Sequence, residues 1–131
     1  MCEIWGLETK SDKMNIEEIR QYCLDKKGVT EGLPFGPDTL VFKVMNKMFA
    51  LMALEATPTS VNLKCDPELA LELRAQYSAV KPGYHMNKQH WNTVSVDGSF
   101  SNAQLREWID NSYDLIVASL KKADKETLKN L

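Results

Sequence analysis

The sequence predicts an α+β fold, in which a two-layer domain packs helices on a mainly antiparallel sheet. Strongly marked helices flank segments rich in β-branched and aromatic residues, in the order helix, hairpin, strand, helix, strand or strands, helix. The chain has 131 residues, 44% of them hydrophobic and 26% charged. A single core of this size can bury roughly two thirds of the unfolded surface, so we expect one domain at residues 14–120.

The first helix is predicted to follow a leader, residues 1–13, which has no helical or strand period and which we expect to be flexible. Asn15 can cap this helix, and Glu18 completes a capping box. Gly28 supplies a left-handed stop. The apolar stripe between these points contains Ile16, Ile19, Cys23 and Leu24.

A rigid connector and three strands are predicted next. Residues 32–38 contain two glycines and two prolines, so neither a helix nor a strand continues through them. Residues 40–44 and 47–54 are typical of a hairpin that turns at Asn46-Lys47. Residues 60–65 alternate apolar and polar side chains, which predicts a strand with one wet face.

Two more helices and a further strand complete the predicted domain. Asp66-Pro67-Glu68 provides a cap, a first-turn proline and an acid at the positive end of a helix that runs to about residue 77. Residues 91–96 form the best strand of the following stretch. Ser101 caps the last helix, whose apolar stripe reaches Leu120. We expect the charged residues 121–131 to form a fraying C-terminal extension without a strong core face.

Composition narrows the class of protein. No apolar run approaches the roughly 20 residues of a membrane span, and Glu3 stands where a signal peptide would be positive, so we expect a cytoplasmic protein that does not bind membranes. Cys2, Cys23 and Cys65 are odd in number and widely spaced, which predicts reduced thiols, two of them in the core. The net charge of −2 argues against indiscriminate coating of nucleic acid.

Several stretches of the chain resemble the MmcQ/YjbR family of small bacterial proteins. The resemblance covers about residues 14–120 and is most specific in PGYHMNK at residues 82–88 and HWNT at residues 90–93. It also includes NIEEIRQYCL, KGVTE, LVFKV, NLKCDPE and SYDL. It implies a CyaY-like fold, that of a bacterial frataxin, and a DNA-binding function with a double-wing arrangement. Asn46 departs from the glycine expected at the hairpin tip.

An acid-free stretch is the strongest candidate for a functional surface, because no carboxylate lies between Glu72 and Asp97. We expect its cations to contact phosphates, its amide and imidazole groups to offer hydrogen bonds, and Tyr84 or Trp91 to stack on an exposed base. The predicted nucleic-acid-binding residues are Arg74, Lys81, Tyr84, His85, Asn87, Lys88, His90 and Trp91, assisted by Lys43, Lys47 and Lys64.

A purely structural role is the alternative for the same stretch. Trp91 and Tyr84 would then belong to the core, and Pro82-Gly83 would shape a turn. His85 and Asn92 would satisfy buried backbone groups. For Trp91 we favour burial, because large aromatic residues at strand starts are usually buried.

We predict no metal site, no cofactor and no catalytic centre. His85 and His90 are five residues apart without a nearby cysteine or acid, which does not match metal-ligand spacing. The acids of the first helix are interrupted by Arg20 and by Lys26-Lys27, so they form a mixed rather than an acidic surface. The sequence contains no Gly-rich phosphate loop, GxSxG, HExxH or paired-carboxylate motif.

The sequence therefore predicts a non-catalytic, monomeric protein that binds DNA or another anionic ligand through a basic aromatic surface around residues 74–93. The alternative is a protein-interaction module of unknown partner, which docks through a sheet face or through the loop at residues 34–36. That loop is otherwise a stiff crossover whose Phe35 plugs the sheet edge, and we favour the crossover.

Overall fold

The structure is a computed structural model of the chain, and it describes residues 14–83 and 87–131. The fold is α+β, as predicted, with the helices in one layer and an antiparallel sheet in the other. The elements in chain order are α1 Ile16–Leu24, β1 Val29–Gly32, β2 Thr39–Val44, β3 Lys47–Ala53, β4 Ser60–Lys64, α2 Pro67–Gln76, β5 Val80–Pro82, β6 Trp91–Ser95, α3 Asn102–Ala118 and α4 Lys122–Lys129.

The described strands form one six-stranded sheet in the order β1-β2-β3-β4-β6-β5. Every neighbouring pair is antiparallel. Of the two edge strands, β1 was not predicted from the sequence, whereas β5 lies in the stretch where one strand or more was predicted. They are four and three residues long, and each ends at a residue that normally interrupts strands, Gly32 or Pro82.

The β2–β3 hairpin turns one residue earlier than predicted. Met45 and Asn46 have φ angles of 49° and 70°, so they, and not Asn46-Lys47, are the two central residues of the turn. The register then shifts between Phe42 and Lys43. This bulge leaves Phe49 without a cross-strand partner, and its side chain is fully buried in the core.

All four helices contribute to a single core on one face of the sheet. The helix α3 packs along β3 and β4, and its buried Ser112 joins the two layers. The Ser112 hydroxyl accepts a hydrogen bond from the Lys64 backbone N–H at 2.8 Å and donates one to the Phe49 carbonyl. The largest fully buried side chains are Phe42, Phe49, Ile19, Met52, Leu105 and Ile109.

Local signals that were predicted from the sequence are confirmed. Asn15 and Glu18 form the reciprocal capping box of α1. The Asn15 N–H donates to Oε1 of Glu18 at 3.0 Å, and the Glu18 N–H donates to Oδ1 of Asn15 at 2.8 Å. Ser101 caps α3 by accepting from the Gln104 N–H at 3.0 Å. Cys23 and Cys65 are buried free thiols. The predicted leader at residues 1–13 lies outside the described residues.

The C-terminal segment corrects our expectation of a fraying extension without a core face. The helix α4 buries Leu128 in the core. A Cβ atom placed on Gly28 would lie only 2.5 Å from Leu128 Cδ1, so the two residues are in intimate contact. Leu128 is the one buried residue of α4, and a single buried position gives no periodic apolar stripe in the sequence.

Candidate anion-binding face

On the face of the sheet that lies opposite the helices, the strand positions that the structure describes include no acid. Strand residues alternate between the two faces, and the register assigns each residue to one of them. The helix-free face carries three lysines, so we call it the lysine face. Its members are Thr30, Gly32, Thr39, Val41, Lys43, Met48, Leu51, Ala53, Ser60, Asn62, Lys64, Trp91, Thr93, Ser95 and Lys81.

Lys43, Lys64 and Lys81 lie on every second strand of the lysine face. They belong to β2, β4 and β5, which are the second, fourth and sixth strands across the sheet. Lys43 and Lys64 are two strand spacings apart, or about 10 Å, and so are Lys64 and Lys81 when measured across the strands. Lys81 is exposed, whereas Lys43 and Lys64 are half-buried, as is typical when a methylene stem lies on apolar surface.

No strand carboxylate neutralises these lysines. The one acid in the six described strands is Glu31, whose register partner Phe42 places it on the helix side. Arg20 donates to Glu31 at 2.8 and 2.6 Å, and these hydrogen bonds lower the pKa of the Glu31 carboxyl. Among the ion pairs of the described residues, none includes Lys43, Lys64 or Lys81.

Trp91 lies on the lysine face but is buried. Its exposed fraction is 8%, and it belongs to a second apolar cluster with Val41 and Leu51, with Met48 at the margin. The structural alternative for Trp91 is therefore confirmed. Its ring does not offer a free surface on which a base could stack.

Arg74, predicted to contact phosphate, lies on α2 and directs its donors into the protein. Its Nε donates to Oδ1 of Asn92 at 2.7 Å, and its Nη2 donates to the carbonyls of Lys88 and, at 3.3 Å, Trp91. Asn92 is 2% exposed and donates in turn to the Ala70 carbonyl at 3.5 Å. Arg74 therefore holds the turn before β6 against α2, and Asn92 has the buried structural role that we considered.

Lys47, another predicted site residue, does not lie on the lysine face. It pairs with Val44 at the end of the hairpin, on the helix side. Its Nζ donates to the Ser119 carbonyl at the end of α3, at 3.3 Å. A cation is favourable at that position because helix carbonyls there lack partners. We conclude that Lys47 stabilises the end of α3.

The remaining predicted site residues lie in the connection between β5 and β6. Asn87 and Lys88 are exposed and His90 is half-buried. The turn is held by Asn87, whose side chain accepts from the Gln89 N–H at 2.9 Å, while the His90 carbonyl accepts from the Cys65 N–H at 2.7 Å. The predicted residues Tyr84 and His85 lie outside the described residues.

The loop after β1 corrects another expectation. Phe35 is 63% exposed and Leu33 is 50% exposed, so Phe35 does not plug the sheet edge. Leu33 and Pro34 border a groove of about 420 Å³, whose other walls include Val41 and Lys43. The loop that carries Phe35 therefore borders the Lys43 end of the lysine face through Leu33 and Pro34.

A second groove, of about 290 Å³, runs between α2 and α3 on the other side of the molecule. Leu115 is 36% exposed at its margin, and Leu71 on α2 is 63% exposed. Burial raises the pKa of the Cys65 thiol at its floor. The groove is lined by Cys65, Asp66, Leu69, Asn111, Asp114 and Leu115.

Within residues 14–83 and 87–131, no group of three or more His, Cys, Asp or Glu side chains is placed to hold a metal ion. Across the same part of the chain, no helix is long and apolar enough to cross a bilayer.

The architecture defines a small α+β protein with one helical layer and one lysine-bearing sheet face. Comparison with known proteins identifies the family to which it belongs. The chain belongs to the YjbR family, whose model matches residues 24–115. This agrees with the resemblance found in the sequence.

Similar proteins come from several bacteria. The uncharacterized protein YbdF of Escherichia coli O157:H7 is 37% identical over 119 residues, which cover 90% of this chain and 98% of the relative. The uncharacterized protein YjbR of Escherichia coli (strain K12) is 36% identical over 118 residues, covering 90% and 100%. The crystal structure of Deinococcus radiodurans protein DR2400, with the domain DUF419, has a TM-score of 0.84 and 35% identity, and 90% of each chain is covered.

Proposed function

We propose that this protein is a non-catalytic binder of nucleic acid, or of a similar polyanion, and that the lysine face is the binding surface. The arrangement of Lys43, Lys64 and Lys81 on alternate strands of one acid-free face is the observation that carries the proposal. Lys88, exposed in the turn before β6, would extend the same surface.

The local charge pattern matters more than the net charge. The whole chain has a net charge of −2, so bulk electrostatics would repel a polyanion weakly. At the lysine face, however, a phosphate within a Debye length of about 8 Å would meet ammonium groups. The one strand carboxylate at its margin, Glu31, is ion-paired with Arg20. A polyanion would therefore bind in one orientation, with the helical layer turned away.

This chemistry predicts binding that depends strongly on salt and weakly on sequence. Lysine acts as a point charge toward phosphate and gives little base discrimination. Each phosphate that is neutralised contributes roughly −0.7 to −0.9 to the slope of log K against log salt concentration. Three engaged lysines would therefore contribute a slope of about −2 to −3.

A paired charge-neutralisation experiment tests the proposal. The triple variant Lys43→Gln, Lys64→Gln, Lys81→Gln is compared with a control, Lys121→Gln, Lys122→Gln, Lys125→Gln, which removes the same charge from exposed positions in and next to α4. Fluorescence anisotropy with labelled DNA is measured at about 50 mM and about 200 mM salt.

We expect the lysine-face variant to lose affinity and most of the salt slope, while the α4 control changes little. Equal losses in the two variants would mean that only net charge matters and would contradict the proposed surface. Absence of binding by the unmodified chain at about 50 mM salt would exclude nucleic acid as the ligand.

Protein docking in the groove between α2 and α3 is a second candidate function. Leu69 and Leu115 provide apolar surface there, and the carboxylates of Asp66 and Asp114 border the groove. We infer that a partner segment would be apolar with basic flanks, because this complements the groove in both respects. Capture that survives nuclease treatment but is lost in Leu69→Ser, Leu115→Ser would support docking, whereas capture unaffected by that variant would contradict it.

A further inference from the structure

We propose that the nucleic-acid ligand is single-stranded, and that the exposed ring of Phe35 stacks on one of its bases while Lys43 binds a neighbouring phosphate. This inference rests on the proposed function and specifies its ligand. It assigns a base-contacting role to a residue outside the acid-free stretch of the sequence.

Phe35 differs from the other aromatic residues of the described part of the chain in its exposure to solvent. Phe35 is the one aromatic side chain in the exposed class among residues 14–83 and 87–131. Trp91 is buried on the lysine face. The rings of Tyr77, Phe100 and Trp108 pack against one another beneath the helices, with centroid separations of 5.0 to 6.4 Å. Within the described part of the chain, the free aromatic surface on which a base could stack is therefore that of Phe35.

The backbone holds this ring in solvent. The Gly36 N–H donates to the Leu33 carbonyl at 3.3 Å, which closes a four-residue turn with Pro34 and Phe35 at its corner. Gly36 has a φ of 117°, a conformation that favours glycine, and Pro37 follows directly. Two prolines and the closed turn restrict the loop, so little conformational entropy is lost when the ring binds a base.

The groove beside the loop offers contacts for both parts of a nucleotide, namely apolar surface for the base and a cation for the phosphate. Leu33, Pro34 and Val41 provide apolar walls, and Lys43 provides a cation in the same groove. The Glu31 carboxylate also lines this groove, where it is ion-paired with Arg20. Its volume of about 420 Å³ lies within the usual range for small-molecule sites. A base that contacts the loop would place its phosphate within the field of the lysine face, which continues from Lys43 toward Lys64.

Stacking on Phe35 requires an unpaired base. In a duplex, both faces of each base are covered by neighbouring base pairs, whereas single strands can splay bases onto aromatic side chains. A cationic platform with one aromatic contact therefore favours single-stranded over double-stranded ligands. Duplex binding would use only the lysines and would gain nothing from the ring.

The test compares Phe35→Ala with Leu71→Ala, a control whose side chain is equally exposed at 63% but lies on α2. Phe35→Trp serves as a rescue variant. The probes are a labelled mixed-sequence DNA strand of about 15 nucleotides, its duplex, and an abasic strand of the same length. Circular dichroism checks that each variant is folded, which is expected because both truncated side chains are exposed.

We expect the unmodified chain to prefer the single strand over the duplex. Phe35→Ala should weaken single-strand binding by about 5- to 100-fold without changing the salt slope, and Phe35→Trp should restore it. The difference between the unmodified chain and Phe35→Ala should disappear on the abasic strand. Leu71→Ala should bind like the unmodified chain.

The two proposals fail in different ways. If the unmodified chain binds the single strand but Phe35→Ala binds it equally well, stacking is overturned and the lysine face remains. If the duplex binds as tightly as the single strand, the preference for unpaired bases is overturned. If none of the probes binds at low salt, the proposed function itself fails.

Discussion

Arg74 on α2 donates a hydrogen bond from Nε to Oδ1 of Asn92 on β6 at 2.7 Å. Asn92 is almost completely buried, and the same guanidinium also binds the Lys88 and Trp91 carbonyls. The buried side chain of Asn92 and the turn before β6 thus both depend on the Arg74 guanidinium. This relationship separates Arg74, which shapes the protein, from the lysines that we propose to contact ligand.

Arg74→Met should destabilise the protein by about 1 to 3 kcal/mol, because Oδ1 of Asn92 would remain buried without its donor. Urea unfolding of the purified chain measures this free energy. The matched control is Arg106→Met on α3, where the arginine is exposed and a change within about 0.5 kcal/mol is expected. Equal effects of the two substitutions would contradict a structural role for Arg74.

Ser112→Ala should also cost about 1 to 3 kcal/mol of unfolding free energy, since it removes the partner of a backbone N–H at Lys64 and of the carbonyl of the buried Phe49. Ser119→Ala, at the exposed end of the same helix, is the control and should change stability much less. A stability unchanged by Ser112→Ala would show that another group satisfies these atoms.

Contact between Gly28 and Leu128 predicts an energetic coupling between α4 and the turn after α1. Gly28→Ala should destabilise the protein by more than the roughly 1 to 2 kcal/mol of left-handed strain alone, because the new methyl group would collide with Leu128. Gly98→Ala, with a φ of 87° and no atom within 4 Å, measures the strain without the collision.

A double-mutant cycle isolates the collision. In a Leu128→Ala background, Gly28→Ala should cost less than in the unmodified chain, and thermal unfolding gives both differences. Additive effects would mean that α4 does not pack on Gly28 in solution.

Ionisation of Tyr22 should reduce the stability of the folded protein at alkaline pH. Burial, assisted by its hydrogen bond to Asp110 at 2.7 Å, raises the pKa of Tyr22 to about 12, above the usual value of about 10. Between these values the unfolded chain releases the proton more readily, so the unfolding free energy falls as pH rises. Tyr22→Phe should make this fall shallower in urea titrations from about pH 9 to about pH 12. An identical slope in both proteins would contradict the assignment.

Local signals explain which parts of this fold were predictable. The capping pair Asn15 and Glu18 is three residues apart, so its geometry follows from helix structure alone. The alternation of side chains placed Lys43 and Lys64 on the face opposite the apolar residues of their strands. These parts of the lysine face were therefore visible in the sequence.

Long-range contacts account for what sequence reasoning missed. Arg74 meets Asn92 across 18 residues of chain, and no local pattern distinguishes it from a solvated cation. Lys81 lies on a strand of three residues that ends in proline, too short to show alternation. Phe35 looked like a plug because aromatic residues are usually buried, whereas the closed turn at residues 33–36 holds it outward.

The most direct test of the lysine face is the mapping of amide chemical-shift changes in the isotope-labelled full chain during titration with single-stranded DNA. We expect changes concentrated at Lys43, Lys64, Lys81 and the Phe35 loop, which disappear as salt is raised, with little change along α1 and α3. Changes centred on the helices, or none at low salt, would contradict it.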